Sequence, residues 1–545
     1  MRLLNVHTFE LETFFDNIPQ YATLSHCWED EEVVFSDLDD LEQARKKKGF
    51  AKVQKICELA SEDGFEYAWI DTCCIDKSSS AELSEAINSM FAWYKNCGRC
   101  YGFLTDVEFE GAFTEITVTE QFNILSTSKW FTRAWTLQEL LAPRDSVWSR
   151  ASGMYFYSRD WRLLGNKTTL TEVISIITRV PFRYLLGDAL GTASISMRMS
   201  WAAGRQATRG EDIAYSLLGI FDVSMPLLYG EGKTKAFWRL QEEIMKLSED
   251  ETLFAWRKTH PFSDSHVFAN EPNDFIEAGR LMPFESEFSP PPYTMTHRGL
   301  RISLPLFSGR QLDERGLTAL QPLCSESQIR WDVDVTWGVL RCHILDDYRY
   351  IVVIPLQCLS PNVFFRDHSL EVSLIPEDLL PDTTYTHEIY IKRGTTHDDR
   401  DSVKRRFGFF FQIVPANAYI RSLTPEVVMS SFERIVYGKP GSGSWEASIE
   451  LVCPQLVNGW TQADDLVIPL TLGCTSILNL QTGAKAPRPW CRIGDYGPSI
   501  VRYNHDHVSS EALIASGLKV KATITSRKVL MQDMFVVDIE IGNLY

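Results

Sequence analysis

The stretch Ser128-Lys-Trp-Phe-Thr-Arg-Ala-Trp-Thr-Leu-Gln-Glu-Leu-Leu-Ala-Pro143 decides how the first part of this chain is read. As a helix it places Trp130, Ala134, Leu137 and Leu141 at i, i+4, i+7 and i+11, the spacing of one buried stripe. Ser126, Thr127 or Ser128 caps the start, and Pro143 stops the far end. Trp135 and Glu139, four apart, share a second face, an aromatic plane with a carboxylate one turn on. Glu139 falls in the last turn, where the helix dipole slightly disfavours an anion. Two readings stay open: a solvated glutamate on an amphipathic helix, or a carboxylate kept for chemistry.

Upstream, short apolar runs alternate with helical patterns. Tyr21–Ser25 and Tyr67–Asp71 read as buried strands, and Cys100–Leu104 as a third. A helix is expected from Leu41 to Ser61, with Gly64 beyond its end. Ser79 and Glu82 form a capping box opening another, with Leu83, Ile87, Met90 and Tyr94 on one side. Strand and helix in alternation predict an α/β fold, a parallel sheet flanked by helices. Ligands in such sheets gather at the carboxyl ends of the strands. Ser25-His-Cys-Trp28 and Asp71-Thr-Cys-Cys-Ile-Asp76 lie there.

Downstream, residues 144–259 read as a mainly helical extension after a short strand near Met154–Tyr157. It holds a short helix at Leu170–Ile177 and an amphipathic one through Phe237, Leu240, Ile244 and Leu247. Past His260, Pro290-Pro-Pro292 and Ser/Pro/Asp clusters separate β-prone runs at Tyr350–Pro355, Thr384–Ile391, Arg406–Val414, Ala447–Cys453, Leu466–Leu470, Leu518–Ile524 and Met534–Ile541. The expected organisation is an α/β domain at 1–143, the helical extension at 144–259 and a β-rich domain at 260–545, a sandwich or two small sheets. No repeat period of 20–50 residues is visible.

The chain has 545 residues, 44% hydrophobic and 23% charged, as in globular proteins. A net charge of -18 argues against a general nucleic-acid binder and against attachment to anionic lipid. No apolar run reaches membrane-spanning length, and the N-terminus lacks the apolar core of a signal peptide. With twelve scattered cysteines, the expectation is a cytoplasmic protein with reduced thiols.

Several motifs lose to plainer readings. Gly230-Glu-Gly-Lys-Thr234 resembles the end of a phosphate-binding loop, but Leu227 stands where the pattern needs glycine. A turn into a helix is the better reading. Cys97-Gly-Arg-Cys100 is a lone pair where zinc needs four ligands, so no metal is expected. Ser25, His26, Cys74 and Asp71 could be arranged as a triad, but no nucleophile elbow is present. Asp71 and Asp76 either cap a turn or bind ribose hydroxyls.

Four segments in order give the chain a family look: Tyr21-Ala-Thr-Leu-Ser-His-Cys-Trp28, Ala68-Trp-Ile-Asp-Thr-Cys-Cys-Ile-Asp76, Ala81-Glu-Leu-Ser-Glu-Ala-Ile-Asn-Ser-Met90 and Arg133-Ala-Trp-Thr-Leu-Gln-Glu139. They resemble the heterokaryon-incompatibility (HET) domain of filamentous fungi. The likeness continues through Met199-Ser-Trp-Ala-Ala203, Glu211–Gly219 and Met225–Gly232. Glu29 departs from it, standing where the family usually has glycine.

The resemblance implies fungal non-self recognition and programmed cell death. It also implies a distant likeness to TIR domains, a flavodoxin-like fold in which some members cleave NAD. Many TIR domains carry a catalytic Glu four residues after a Trp, the register of Trp135 and Glu139. On that basis Glu139 is the catalytic candidate, and Ser25, His26, Trp28, Asp71, Asp76, Arg133 and Trp135 are candidates for binding NAD as substrate. Trp135 or Trp28 would stack on a base; Arg133 would meet the pyrophosphate or else form a salt bridge. No cofactor is implied. The alternative is a non-enzymatic module that recruits death-pathway partners. In either case a homo-oligomer or protein partner is expected on activation, with no nucleic acid and no membrane, and residues 260–545 are expected to sense or restrain.

Overall fold

A computed structural model describes residues 1–144, 153–259, 266–284, 292–312, 314–323, 335–360, 362–366, 370–382 and 384–394, and beyond these the strands lying between 409 and 543. The chain divides into two compact units, residues 1–356 with 366–393, and residues 357–365 with 394–545.

The first unit begins with a seven-stranded sheet. Its strands are β1 (Arg2–Asn5), β2 (Leu11–Thr13), β3 (Tyr21–His26), β4 (Tyr67–Trp69), β5 (Arg99–Phe103), β6 (Met154–Tyr157) and β7 (Leu163–Asn166), in the spatial order β2-β1-β4-β3-β5-β6-β7. The four central strands, β4-β3-β5-β6, are parallel, while β1, β2 and β7 join antiparallel at the edges. The sheet is therefore mixed, where a purely parallel one was expected. Short chain reversals can add antiparallel edge strands without a crossover helix. Every residue of β3 is buried, as a strand covered on both faces must be.

The principal helices of this part are α1 (Phe50–Glu62), α2 (Ser80–Asn96), α3 (Val118–Leu125), α4 (Lys129–Thr132) and α5 (Thr136–Leu141). The helix expected over Leu41–Ser61 is broken: one turn covers Leu41–Ala44 and α1 begins at Phe50. Gly49 marks the break, since a Cβ there would stand 2.8 Å from the Cα of Glu32 and 2.9 Å from the Glu31 carbonyl oxygen. Ser79 caps α2, its hydroxyl accepting from Glu82 N, but the expected capping box is only half made, since Glu82 accepts from Asp76 N instead.

The deciding stretch is also two helices. Arg133 is extended (φ -75°, ψ 140°) between α4 and α5. Gln206 fills the interruption: its N–H donates to the Thr132 carbonyl (2.7 Å) and its carbonyl accepts from Ala134 N (2.8 Å). One residue from the downstream extension thus satisfies groups that an unbroken helix would have bonded to itself. Helical periodicity has no means of detecting that bridge. Trp130, Ala134, Leu137 and Leu141 are nevertheless all buried. So is every residue of α5, which packs against β3 and α2. The solvated-glutamate reading of Glu139 fails on that burial.

Past β7 come α6 (Thr171–Thr178), α7 (Ile195–Trp201) and α8 (Lys233–Leu247). Gly232 (φ 87°) leads into α8, so Gly230-Glu-Gly-Lys-Thr234 is a turn into a helix. The N–H groups of Gly230 and Gly232 both donate to Glu211 Oε1, at 2.9 and 3.0 Å. A carboxylate of the chain itself occupies the donors a phosphate would need.

Later in the first unit, Gly299–Ser308 pairs antiparallel with Thr336–Ile344 and with Tyr385–Ile391. Residues near 259 are bound to these strands. Glu251 accepts from Arg341 N (2.7 Å) and Nε (3.0 Å), and the Arg366 guanidinium donates to the carbonyls of Phe254 and Trp256. The second unit is β-rich. Trp445–Cys453, Leu466–Leu478 and Lys485–Ile493 form consecutive antiparallel pairs, and Phe409–Val414 runs parallel to Gln532–Asn543. Among the described residues, no helix is long and apolar enough to cross a membrane.

Lys167, 2% exposed, closes the end of α5. Its ammonium donates to the Leu140 carbonyl (3.1 Å) and to the Pro143 carbonyl, a cation where the helix end is negative. Lys167→Met should leave those carbonyls unpaired and lower unfolding free energy by roughly 2–3 kcal/mol, measured by urea denaturation. An unchanged midpoint would show that the cap contributes nothing.

Candidate functional site

β3 ends in Ser25 and His26, whose side chains leave opposite faces of the sheet. On the face of α5, the Ser25 hydroxyl donates to Glu139 Oε2 at 2.5 Å and accepts from the Trp130 indole N–H at 2.9 Å. Ser25 is fully buried and Glu139 only 6% exposed. Burial pushes the Glu139 carboxyl up from its ordinary 4.5 to about 8; the charge of Asp71 adds to the rise, while Ser25, Arg133 and Arg205 oppose it.

Arg205 comes from the segment that bridges the α4–α5 break. It donates to the Arg133 carbonyl (2.8 Å) and to the Thr136 hydroxyl (3.0 Å). Burial holds its pKa down to about 9, and Glu139 acts in the other direction.

On the other side of β3, His26 is buried 3.8 Å from Glu32 and 4.0 Å from Asp71. Neither ring nitrogen has a hydrogen-bond partner among the described residues. Burial, then the charges of Lys52 and Lys77, hold its pKa well below 6.5, so the ring is neutral. Lys52 pairs with Glu32 and, at 3.4 Å, with Glu29. Glu29, the departure from the family pattern, thus adds a second carboxylate to Lys52. Its backbone does not take the positive φ that would require glycine; Glu31 does, at 61°.

Trp28 stands at the rim, 48% exposed. Its indole N–H donates to Asp71 Oδ2 at 2.9 Å, and Lys77 Nζ sits 3.4 Å from the ring centroid. Burial raises the Asp71 pKa, against the pull of Lys77 and the Trp28 bond.

The sequence candidates therefore separate into groups. Ser25 and Glu139 are in direct contact. Trp28 and Asp71 are likewise bonded, His26 lies beside Asp71, and the Asp71 field reaches Glu139. Asp76 caps a turn, accepting from Ser78 N (3.0 Å) and its hydroxyl (2.6 Å). Arg133 donates to Thr208 Oγ1 at 3.4 Å. Trp135 is half-buried near Asp212. Burial raises that carboxyl, and Tyr229, donating at 3.0 Å, and Trp135 help to hold it down. Ser25 bonds Glu139 and Trp130, and His26 has no hydrogen-bond partner among the described residues, so no serine–histidine relay exists here.

Glu32, Lys52, Lys77 and Arg205 are the charged residues that reading the sequence did not single out. Lys52 had a signal, since it shares the i, i+4, i+8 stripe of α1 with Ile56 and Ala60, all buried. Arg205 had none, because its role depends on a bridge between distant segments.

Residues 21–118 match the model of the family described as Heterokaryon incompatibility protein (HET). This stretch is similar to the HET family. Residues 235–280 also match a domain of unknown function, DUF8212. Vegetative incompatibility protein HET-E-1 of Podospora anserina is 44% identical over 249 residues, 45% of this chain and 18% of the relative. The chain thus spans less than a fifth of that relative's length. No solved structure matches it.

The raised carboxyl ties stability to pH. Below about 4.5 the Glu139 side chain is protonated folded or unfolded; between about 4.5 and 8 only the unfolded chain ionises, so stability falls as pH rises through the folded pKa. Glu139→Gln, which keeps an acceptor for Ser25, should lie within about 1 kcal/mol of wild type at low pH and become several kcal/mol more stable above the folded pKa. Denaturation midpoints of both proteins across that range check this. A constant offset would mean Glu139 titrates normally.

Proposed function

We propose that this protein acts in vegetative incompatibility and cell death, and that its α/β core hydrolyses NAD⁺ at Glu139. The observation carrying the chemistry is the burial of Glu139 on the Ser25 hydroxyl at the carboxyl end of a central parallel strand. Numbered along the chain, the four parallel strands have the spatial order 2-1-3-4, which supports the flavodoxin-like, TIR-like reading. The incompatibility role rests on the HET match and on the likeness to HET-E-1.

Cleavage needs little machinery. The bond from ribose C1′ to the nicotinamide nitrogen breaks, and its electron pair neutralises the pyridinium. Water then adds to C1′ and loses a proton. Nicotinamide leaves neutral, so no acid is required. One carboxylate facing the oxocarbenium-like transition state supplies the charge. A ribose hydroxyl would replace Ser25 as the donor to Glu139, and exposed Trp28 would stack on a base. Glu139 must be ionised for this role, so turnover of the protein should climb as pH rises through about 8.

Nicotinamide release from NAD⁺ by concentrated purified protein tests the reading. Glu139→Ala should lower it by at least about a hundredfold. No release by wild type in any assembled state, or equal release by the variant, rejects it.

A second reading is favoured by the same burial. At 6% exposure, with a hydroxyl already on its oxygen, Glu139 also suits a structural lock in a module that works by assembly and recruits a protein partner. Cell killing that persists unchanged in a stable Glu139→Gln variant would select that reading.

A further inference from the structure

A cleft of about 600 Å³ opens away from β3, where the ends of α2, α5 and α8 meet the 187–191 loop and the helix Leu218–Phe221. Lys95, Arg144 and Arg198 line it. Among the described residues none of the three forms an ion pair, in a chain whose net charge is -18. Arg198 is the buried member, 9% exposed. Its Nη1 donates to the Ile220 carbonyl (3.2 Å) and its guanidinium lies 4.5 Å from the Phe221 ring centroid, but its Nε is buried without a partner. Burial makes this guanidinium costly to hold, the charge of Asp250 offsets only part of that cost, and a bound anion would complete the compensation.

We infer that this cleft is a binding site for a nucleoside monophosphate. The three cations suit a phosphate monoester, and the planar guanidinium of Arg198 is a group of the kind that grips phosphate. The volume lies in the range of small-molecule sites, well beyond what inorganic phosphate fills, so the anion carries an organic body. Phe91 and Ile220 give that body an apolar wall. Asp188 and Asp222 line the same cleft and accept from ribose hydroxyls or an exocyclic amine, which a lipid phosphate lacks. The site shares α5 with Glu139 but does not depend on the chemistry proposed there.

Calorimetric titration of the full chain with AMP tests this, with inorganic phosphate and adenosine as comparison probes. AMP should bind at one site per chain, at least about tenfold tighter than either fragment, and more weakly as salt rises. Lys95 and Arg144 are exposed, so the double variant Lys95→Gln/Arg144→Gln leaves the core intact. It should lose at least about tenfold in affinity for AMP. Absence of AMP binding at millimolar concentration, phosphate binding as tight as AMP, or equal affinity in the double variant would each overturn the assignment.

Discussion

One hydrogen bond, from the Ser25 hydroxyl to the Glu139 carboxyl at 2.5 Å, is the constraint around which the first unit is arranged. A carboxyl sealed between a central strand and a fully buried helix has few stable options. It keeps its proton, or it finds donors and cations. Here both occur. Burial raises the pKa to about 8, while Ser25, Arg133 and Arg205 partly restore the ionised form. Trp130 fixes the serine by donating to it, and Lys167 fixes the far end of the helix.

The extension is bound into this arrangement. Gln206 bridges the gap between α4 and α5, and Arg205 reaches the Arg133 carbonyl and the Thr136 hydroxyl from the same turn of chain. The register of the Glu139 helix therefore depends on residues well beyond the span that matches the HET model. Downstream, Glu211 takes the N–H groups of Gly230 and Gly232, so a loop with the look of a phosphate cradle is closed by the chain's own carboxylate.

What could be read in the sequence is what local periodicity encodes. β3, β5 and β6 were legible as apolar runs, α2 from its capping serine, and α8 from its amphipathic stripe. The runs from Tyr350 onward proved to be strands where they are described. The α4–α5 break was not legible, because Trp130 to Leu141 keeps helical spacing while a tertiary bridge interrupts the backbone. The antiparallel edge strands were missed because three- and four-residue strands carry almost no alternation. At the site, Glu139 drew notice because stability gave it no reason to be there, and Ser25, Trp28 and Asp71 because strand ends collect ligands. Asp76 turned out to serve a turn, and Trp135 lies on Asp212. Arg205 and Lys77 gained their significance only from three-dimensional proximity.

The central claim is electrostatic: the carboxyl at 139 sits in a dry, hydrogen-bonded environment. Infrared titration of the folded protein, differenced against Glu139→Gln, observes that group directly. The account predicts a protonated carboxyl band that persists at neutral pH and disappears with a midpoint near 8. A Glu139 signal that titrates in the ordinary carboxylate range, about 4–5, would contradict it.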